Sequence, residues 1–555
     1  MTTAPRLPNP KTPSLGTVLR RGEHWVWFSG AALAAAVILI SGLLLIVVLN
    51  GGGTFWPRPL TEATRADGTK VLGILSERGV LREQRPGAGV VEVPQSQFKV
   101  ANRDVFGADF VWYRDDALTE VRQPLEAVAV ERMENGDFLG FLVALKKGEA
   151  EVAKGEAAWT ELEAQLPQAI GLRNRVRALQ RDDVGRINYE LRGLELAITH
   201  ARRKGGPAVA ETVARLEAEV ADAKRRYEAL TEQVALVTGE AGAWVAVMET
   251  ADGRAKEIPL ASIVDVWRPN QMGFFAKVGH YLRHAWWFVS EEPRESNQEG
   301  GVFPALFGTV MMTLLMTLAC TPLGVITALY LREYATQGLV VRIVRIAVNN
   351  LAGVPSIVFG VFGLGFFVYF IGGAVDRLFF ADALPTPTYG TGGILWASLT
   401  LALLTVPVVI VSAEEAIAAV PRGMREGSLA LGASKFQTIT RIILPAALPG
   451  ILTGVILAMA RGAGEVAPLM ITGVVKLAPE LPFDGLFPFF HFDRKFMHLG
   501  FHIYDVGFQS PNVEASKPMV FTTTLLLIAI VVALNLAAIH LRNRIRRKYQ
   551  TGAFN

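Results

Sequence analysis

Six long runs of apolar residues divide the chain, and each is long enough to cross a lipid bilayer. A membrane-spanning helix needs about 20 predominantly apolar residues. The hydrophobic pattern predicts spans over residues 25–49, 303–331, 346–373, 392–414, 449–474 and 518–541. We therefore expect an integral membrane protein whose bilayer part is all helical.

The first apolar run also has features of a secretory signal sequence. Such a signal has an apolar core of about 7–15 residues and a cleavage site built from small residues. The run over 25–49 is longer, and no such cleavage motif follows Leu49. We interpret it as an uncleaved anchor helix that follows a tail over residues 1–24.

Basic residues beside the spans predict how the chain is oriented. They all fall on one side of the membrane, at Arg20, Arg21, Arg332, Arg342, Arg345, Arg422, Arg425, Lys435, Arg441 and in the tail 542–555. Short basic flanks remain in the cytoplasm. We therefore expect both termini and the loop 415–448 to be cytoplasmic, and residues 50–302 to lie on the opposite side.

The charge balance argues against a nucleic-acid partner. Residues 51–302 hold 33 Lys and Arg against 38 Asp and Glu, so the outer segment is acidic and the basic excess belongs to the membrane flanks. The single cysteine, Cys320, lies in a predicted span. Neither a disulfide framework nor a cysteine-based metal site is therefore expected.

The outer segment 50–302 shows two periodicities. Alternating apolar and polar residues over 70–148 and 242–268 predict strands of a small β-rich domain, with a hairpin turn at Asn135-Gly136. Between them, 172–237 predicts an antiparallel helical hairpin. Its second helix has a heptad seam at Val209, Val213, Leu216, Val220, Ala223, Tyr227, Leu230, Val234 and Val237. Such a hairpin is structural or a docking arm for another protein.

The cytoplasmic loop carries a specific spacing of small and apolar residues. The pattern consists of Glu426, Gly427, Ser428, Gly432, Ile442, Leu444 and Pro445. Small residues allow a short helix to approach a partner protein, and glycine permits a turn with positive φ. We expect Gly432 to end this helix, a second helix to follow over 435–443, and Pro445 to break that helix. An ordinary amphipathic loop helix is the alternative.

Two opposite charges lie near the middle of the predicted fifth span. Arg461 and Glu465 are four residues apart, so on a helix they share a face and can pair. Either they line a hydrated pathway, where the planar fork of arginine would bind an anion, or they form a lock between helices. Asn350, beside Asn349 in the predicted third span, is a weaker pathway candidate for which bonding between helices is the alternative.

Three polar residues in the last outer loop form a further candidate site. His498, His502 and Asp505 have a spacing compatible with one helical face. We considered a metal site here but favour contact with a binding protein, and predict no metal or cofactor for the chain. The phosphate-binding pattern G-x-x-x-x-G-K-[ST] is absent from the sequence, so any ATP hydrolysis is expected from a partner.

The loop 426–445 resembles the EAA loop of ABC importers, and residues 300–545 resemble the PstA permeases of phosphate-specific ABC importers. The resemblance rests on 300–309, Tyr330-Leu-Arg-Glu-Tyr334, Asn350-Leu-Ala-Gly-Val-Pro-Ser356 and Arg461-Gly-Ala-Gly-Glu465-Val-Ala-Pro468. It implies a MetI-like permease core of five spans, preceded by the anchor and the inserted periplasmic α+β domain with its coiled-coil hairpin.

The resemblance also implies partners and a function. We expect a non-catalytic inner-membrane subunit that pairs with the paralogous permease PstC, binds two PstB ATPases through the EAA loop, and receives phosphate from the periplasmic protein PstS. Import of another oxyanion is one alternative. A sensor or scaffold that signals to a histidine kinase through the outer hairpin is another.

Overall fold

The computed structural model describes residues 23–85, 89–207, 209–510 and 512–550. Arg20, Arg21 and most of the predicted tail 1–24 lie outside the described residues, as does the end of the tail 542–555. Six helices in the described part are long and apolar enough to cross a membrane. They are span 1 (Trp25–Gly52), span 2 (Phe303–Tyr334), span 3 (Ser356–Phe379), span 4 (Ile394–Ala418), span 5 (Lys435–Gly464) and span 6 (Val513–Arg547).

Span 3 begins ten residues later than the hydrophobic pattern predicts. The apolar residues before it form a separate helix, Leu339–Leu351, which carries most of its polar groups on one face. Pro355 separates the two helices, because proline disfavours helical geometry in the residue before it and cannot donate an amide bond. Arg345 on the first helix donates to Glu414 near the C-terminal end of span 4 at 2.8 Å.

Span 5 begins and ends earlier than predicted. The helix runs from Lys435 through Pro445 to Gly464, so the expectation that Pro445 breaks it is wrong. Just before Pro445, residues Ile439–Ile443 form a widened, π-helical turn, in which backbone amides bond to the carbonyl of the fifth residue back. Such a widened turn relieves the clash and the missing amide bond that proline brings to a helix. After Gly464 the chain breaks and resumes as a short helix, Ala467–Thr472.

Spans 2, 4 and 5 form the centre of the membrane part. Their buried contacts include Met312, Met316, Cys320, Leu401, Leu404, Ala413, Val455 and Ala458. Glycines bring the helices together, since a Cβ at Gly454 would lie 2.3 Å from the Ser412 side chain and one at Gly324 would lie 2.6 Å from Val409. Close approach through small residues is typical of helix packing in membranes.

The outer segment contains two large antiparallel sheets. Their strands are β1 (Leu60–Arg65), β2 (Lys70–Arg85), β3 (Gly89–Lys99), β4 (Phe110–Arg114), β5 (Leu118–Arg122), β6 (Val128–Arg132), β7 (Phe138–Lys147), β8 (Ala150–Lys154), β9 (Trp244–Glu249), β10 (Ala255–Pro259) and β11 (Ile263–Trp267). One sheet has the order β4-β3-β2-β1-β5, and the other has the order β10-β9-β7-β6-β11 with β8 beside β7. The turn expected at Asn135-Gly136 joins β6 to β7, and both residues have positive φ. The first strand precedes the predicted range.

The helical hairpin is longer than the predicted 172–237. Its outgoing arm runs from Gly155 to Lys204, with a widened turn at Leu179–Asp183, and its return arm is Val209–Ala241. The start of the outgoing arm packs on the second sheet through Leu162 and Leu166. Because this part belongs to the sheet core, only the distal part behaves as a separate arm.

The distal hairpin contacts the outer loops of the membrane part. Near its tip, His200 Nδ1 lies 2.7 Å from an Asp382 carboxylate oxygen and Arg203 donates to the other oxygen at 3.0 Å. Tyr189 donates to the carbonyl oxygen of Phe487 at 3.0 Å. The hairpin therefore lies over the loops that follow span 3 and span 5.

Two further helices connect the outer segment to the spans. Helix Phe274–Ser290 follows β11, and its Tyr281 and Phe288 pack against Phe55, just beyond span 1. Two short strands, Pro293–Arg294 and Glu299–Gly300, then lead into span 2. Helix Leu499–Phe508 packs on span 6.

Candidate functional site

The loop between spans 4 and 5, which the sequence predicts to be cytoplasmic, forms a helix, a tight turn and the start of span 5. The helix is Arg422–Ala430, and the chain reverses at Gly432, whose φ is 85°. The glycine turn predicted from the sequence is therefore confirmed. Ser434 then begins the next helix with a reciprocal cap, in which its hydroxyl accepts from the Gln437 amide and the Gln437 side chain accepts from the Ser434 amide.

Three polar contacts hold this loop in place. Arg425 pairs with Glu333 at the C-terminal end of span 2 at 3.2 Å. The Lys435 ammonium lies 4.9 Å from the centre of the Tyr334 ring. Across the turn, the hydroxyls of Ser428 and Thr438 are 2.9 Å apart. The loop is therefore fixed to the end of span 2 at two points and braced internally at a third.

The predicted loop residues divide between the surface and the core. Glu426, Gly427 and Gly432 are exposed, whereas Ile442 is half-buried and Leu444 packs on the core of spans 2, 4 and 5. Pro445 is half-buried inside the continuous helix. The first group is therefore accessible at the surface, while the second connects the loop to the helices of the membrane part.

Large apolar side chains beside the Gly432 turn face solvent. Leu431 is 91% exposed and Phe436 is 68% exposed, and Met424 and Leu429 add to the same loop surface. Exposed apolar groups clustered between charged residues mark protein interaction sites. The glycine-based sequence pattern missed Leu431 and Phe436, although two apolar residues within a polar loop were a usable signal.

Arg461 and Glu465 lie at the break after span 5, and the helical spacing expected for them is not present. Arg461 is in the last helical turn, but Glu465 has extended backbone angles and is the first residue beyond the helix. Their side chains still approach, with Arg461 Nε 3.7 Å from a Glu465 carboxylate oxygen. The Arg461 side chain is 35% exposed and that of Glu465 is 23% exposed, so neither is sealed within the chain.

This break lies at mid-depth in the bundle. A Cβ at the neighbouring Gly462 would meet Met316 and lie close to Thr405, and these residues are near the middle of spans 2 and 4. A non-helical backbone at membrane depth is tolerated where it is buried in protein or lines a water-filled cavity. The break therefore places a non-helical backbone beside two opposite charges whose side chains are partly exposed.

The remaining predicted site residues lie elsewhere. Asn350 is near the end of the helix Leu339–Leu351, outside span 3, and is exposed. It therefore lies on a different element from Arg461 and Glu465, which are at the end of span 5.

His498, His502 and Asp505 are buried, so direct contact with a binding protein is ruled out in this conformation. His498 caps the helix Leu499–Phe508 by accepting from the Gly500 amide. Asp505 pairs with Lys476 at 3.2 Å. Burial lowers the pKa of both histidines to about 4, so both imidazoles are neutral at neutral pH. These residues fix the outer end of the bundle.

The sequence of the membrane part matches known proteins. Residues 320–548 match the family model described as the binding-protein-dependent transport system inner membrane component. YqgI of Bacillus subtilis, described as a probable ABC transporter permease protein, is 32% identical over 266 residues, which are 47% of this chain and 84% of YqgI.

A phosphate permease is also among the relatives. The phosphate transport system permease protein PstA 1 of Mycobacterium tuberculosis is 37% identical over 215 residues, which are 39% of this chain and 63% of that protein. A solved structure of the inward-facing MetNI methionine ABC transporter shares 19% identity and a TM-score of 0.32, over 43% of this chain and 94% of that one.

These matches define the class of protein. The chain belongs to the family of binding-protein-dependent transport permeases, and the resemblance to PstA permeases expected from the sequence is confirmed. The family match begins within span 2 and includes spans 3 to 6 together with the loop between spans 4 and 5.

Proposed function

We propose that this chain is a permease subunit of an ATP-driven phosphate importer. It forms the transmembrane pathway with a paralogous permease of the PstC type and couples to PstB ATPases through the loop 415–448. A periplasmic binding protein of the PstS type delivers phosphate to it. The orientation that this requires places both termini in the cytoplasm and residues 50–302 in the periplasm of the bacterial inner membrane.

The observation that carries this proposal is the cytoplasmic loop. Its apolar side chains at Leu431 and Phe436 are exposed, although Arg425 and Lys435 fix the loop to span 2. A rigidly mounted apolar surface is suited to receive a partner and to transmit its movement. Glu426, Gly427, Ser428 and Gly432 contribute the contact side, and Ile442, Leu444 and Pro445 the connection to span 5.

The choice of phosphate rests on the relative named as a phosphate permease and on Arg461. The guanidinium group presents several donors in a planar fork, which matches phosphate oxygens. At the mid-depth break, Arg461 and Glu465 are partly open within this single chain. A second permease packed against this side would enclose them in a pathway. Asn350 lies on a separate exposed helix and has the weakest support as a pathway residue.

Uptake of radioactive phosphate tests the proposal in a strain from which only this chain is removed. We expect high-affinity phosphate uptake to be lost, sulfate uptake to be unchanged, and the full-length chain to restore phosphate uptake. Selective loss of another oxyanion would assign a different substrate. Normal uptake with altered phosphate-dependent gene expression would instead favour the sensor function.

The partner assignments are tested by purification of the complex. A tag on this chain should recover the paralogous permease and the ATPase together. Leu431→Asp should release the ATPase but keep the paralogous permease, because the change is confined to the cytoplasmic surface. Full retention of the ATPase in that variant would contradict the assigned docking surface.

A further inference from the structure

A cluster of metal-ligating side chains lies outside the permease core, between the second sheet and the helix Phe274–Ser290. Asp265 is on β11, and His280 and His284 are on the helix, one turn apart. One ligand atom from each residue lies within 4.8 Å of the other two. No other cluster of this kind is present among residues 23–85, 89–207, 209–510 and 512–550.

The spacing suits a small tetrahedral ion. Oδ2 of Asp265 lies 3.0 Å from Nε2 of His284 and 3.7 Å from Nδ1 of His280. In a tetrahedral zinc site with bonds of about 2.0–2.1 Å, neighbouring ligand atoms are about 3.3 Å apart. The observed distances lie on either side of this value, so only small side-chain movements separate the cluster from a zinc site.

The hydrogen bonding of the cluster is incomplete without a cation. Nδ1 of His280 is buried and has no hydrogen-bond partner. The two imidazole rings stack with their centres 4.0 Å apart, which holds both helix residues toward Asp265.

A neighbouring carboxylate supports the ligand role of His284. A carboxylate oxygen of Glu131 lies 3.5 Å from Nδ1 of His284, on the side of the ring opposite to the Asp265 contact. Carboxylates commonly orient metal-bound histidines in this way, through the ring nitrogen that does not touch the metal. Glu131 is therefore a positioning residue.

We propose that Asp265, His280 and His284 bind a divalent transition metal ion, with zinc as the ion that best matches this donor set, and that water fills the fourth position. The ion would join β11 to the helix that leads toward span 2. Such a link would stabilise the attachment of the outer domain to the membrane part.

Arg283 is the competitor for this site. Its guanidinium donates to the same Asp265 oxygen at 2.6 Å and lies over the Trp287 ring. The Arg283 side chain is half exposed, so it can leave Asp265 when an ion enters. This competition gives the proposal a distinctive consequence, because removal of the arginine should strengthen metal binding rather than weaken it.

The test is zinc binding to the full-length chain, purified in detergent and stripped with a chelator. We expect one zinc ion per chain, measured by equilibrium dialysis and elemental analysis, and an increase in melting temperature on zinc addition. His280→Gln and Asp265→Asn should each lower the zinc affinity more than tenfold. Arg283→Gln should raise it. Cobalt in place of zinc should give the intense visible absorption of a tetrahedral ion.

A matched control separates this site from other histidines. His200→Gln changes an exposed hairpin histidine and should leave zinc affinity unchanged. The proposal is overturned if zinc fails to bind the folded wild-type chain, or if His280→Gln and Asp265→Asn leave its affinity unchanged. If either variant fails to fold, Arg283→Gln decides, since unchanged or weaker zinc binding in that variant would also overturn the proposal.

Discussion

The hydroxyl groups of Ser428 and Thr438 lie 2.9 Å apart and join the two helices of the loop between spans 4 and 5 across the turn at Gly432. Ser428 is half-buried and Thr438 is buried. The bond connects the exposed helix to the first turn of span 5. A movement of the exposed helix would therefore reach the membrane part through this contact as well as through the backbone.

Thr438→Val should weaken coupling while the chain remains folded. The substitution preserves the side-chain shape but removes the hydroxyl, and a hydrogen bond of this kind contributes about 0.5–1.5 kcal/mol. We expect a partial loss of phosphate uptake at normal amounts of membrane protein. Thr440→Val is the control, because that exposed hydroxyl bonds only within its own helix, to the Phe436 carbonyl. Equal effects from the two variants would contradict a linking role for Thr438.

Gly432→Ala should impair uptake, whereas Gly423→Ala should not. A Cβ would meet nothing within 4 Å at either position, so the two changes differ in backbone conformation. The φ of 85° at Gly432 costs a residue with a side chain roughly 1–2 kcal/mol, and Gly423 is helical and should tolerate alanine. Uptake and recovery of the ATPase are measured together. Gly432→Asp, which adds a charge at the same turn, should abolish uptake.

The outcome for Gly432→Asp tests the surface as well as the turn. Since this chain leaves open space around Gly432, a complete loss of ATPase binding would have to come from a clash with the partner and from backbone strain. If the Gly432→Asp complex contains normal amounts of ATPase and transports normally, the contact assigned to this turn is wrong.

Local backbone rules predicted the parts of the site that depend on one residue type. Glycine at 432 specified a turn with positive φ, and Asn135-Gly136 specified a hairpin connection, because few other residues tolerate those angles. The same reasoning failed at Pro445. There the widened turn Ile439–Ile443 allows the helix to continue through the proline. Such a turn has no clear sequence signal.

The periodicity of apolar residues predicted which segments are helices or strands, but it did not predict where a span ends or which loop residues become buried. Hydropathy extended the fifth span to residue 474, but the helix ends at Gly464, so Arg461 and Glu465 meet across a break rather than along a helix. His498 and His502 looked like residues of an exposed loop, yet they are buried under span 6. The cluster of Asp265, His280 and His284 could not be predicted from the sequence, because a strand and a separate helix have to pack together to form it.

Deletion of the distal hairpin should leave the complex assembled. Arg173 donates to the Ile263 carbonyl at 2.6 Å, so the deletion must begin after this anchor. Removal of residues 178–235 with a short Gly/Ser bridge takes out the contacts to Asp382 and Phe487. We expect the paralogous permease to copurify normally and uptake to fall without disappearing.

The control for the hairpin deletion is Asp382→Ala, which removes only the tip contacts to His200 and Arg203. It should reproduce part of the loss in uptake if the hairpin acts by resting on the outer loops. Loss of the paralogous permease from the deletion complex would show that the hairpin is part of the assembly core.

A double-mutant cycle on Arg461 and Glu465 distinguishes a pathway from a lock. At 3.7 Å and with both side chains partly exposed, the pair resembles surface ion pairs, which contribute about 0–1 kcal/mol. We therefore expect Arg461→Gln and Glu465→Gln, alone or together, to leave complex yield intact, and every variant with Arg461→Gln to lose phosphate uptake. Arg461→Lys should also reduce uptake sharply, because it keeps the charge but loses the fork.

A lock predicts the opposite pattern. One charge left unpaired in a buried site costs roughly 3–5 kcal/mol, so each single mutant would lose complex yield and uptake and the double mutant would recover both. Uptake and complex yield restored in the double mutant would therefore remove Arg461 from the pathway.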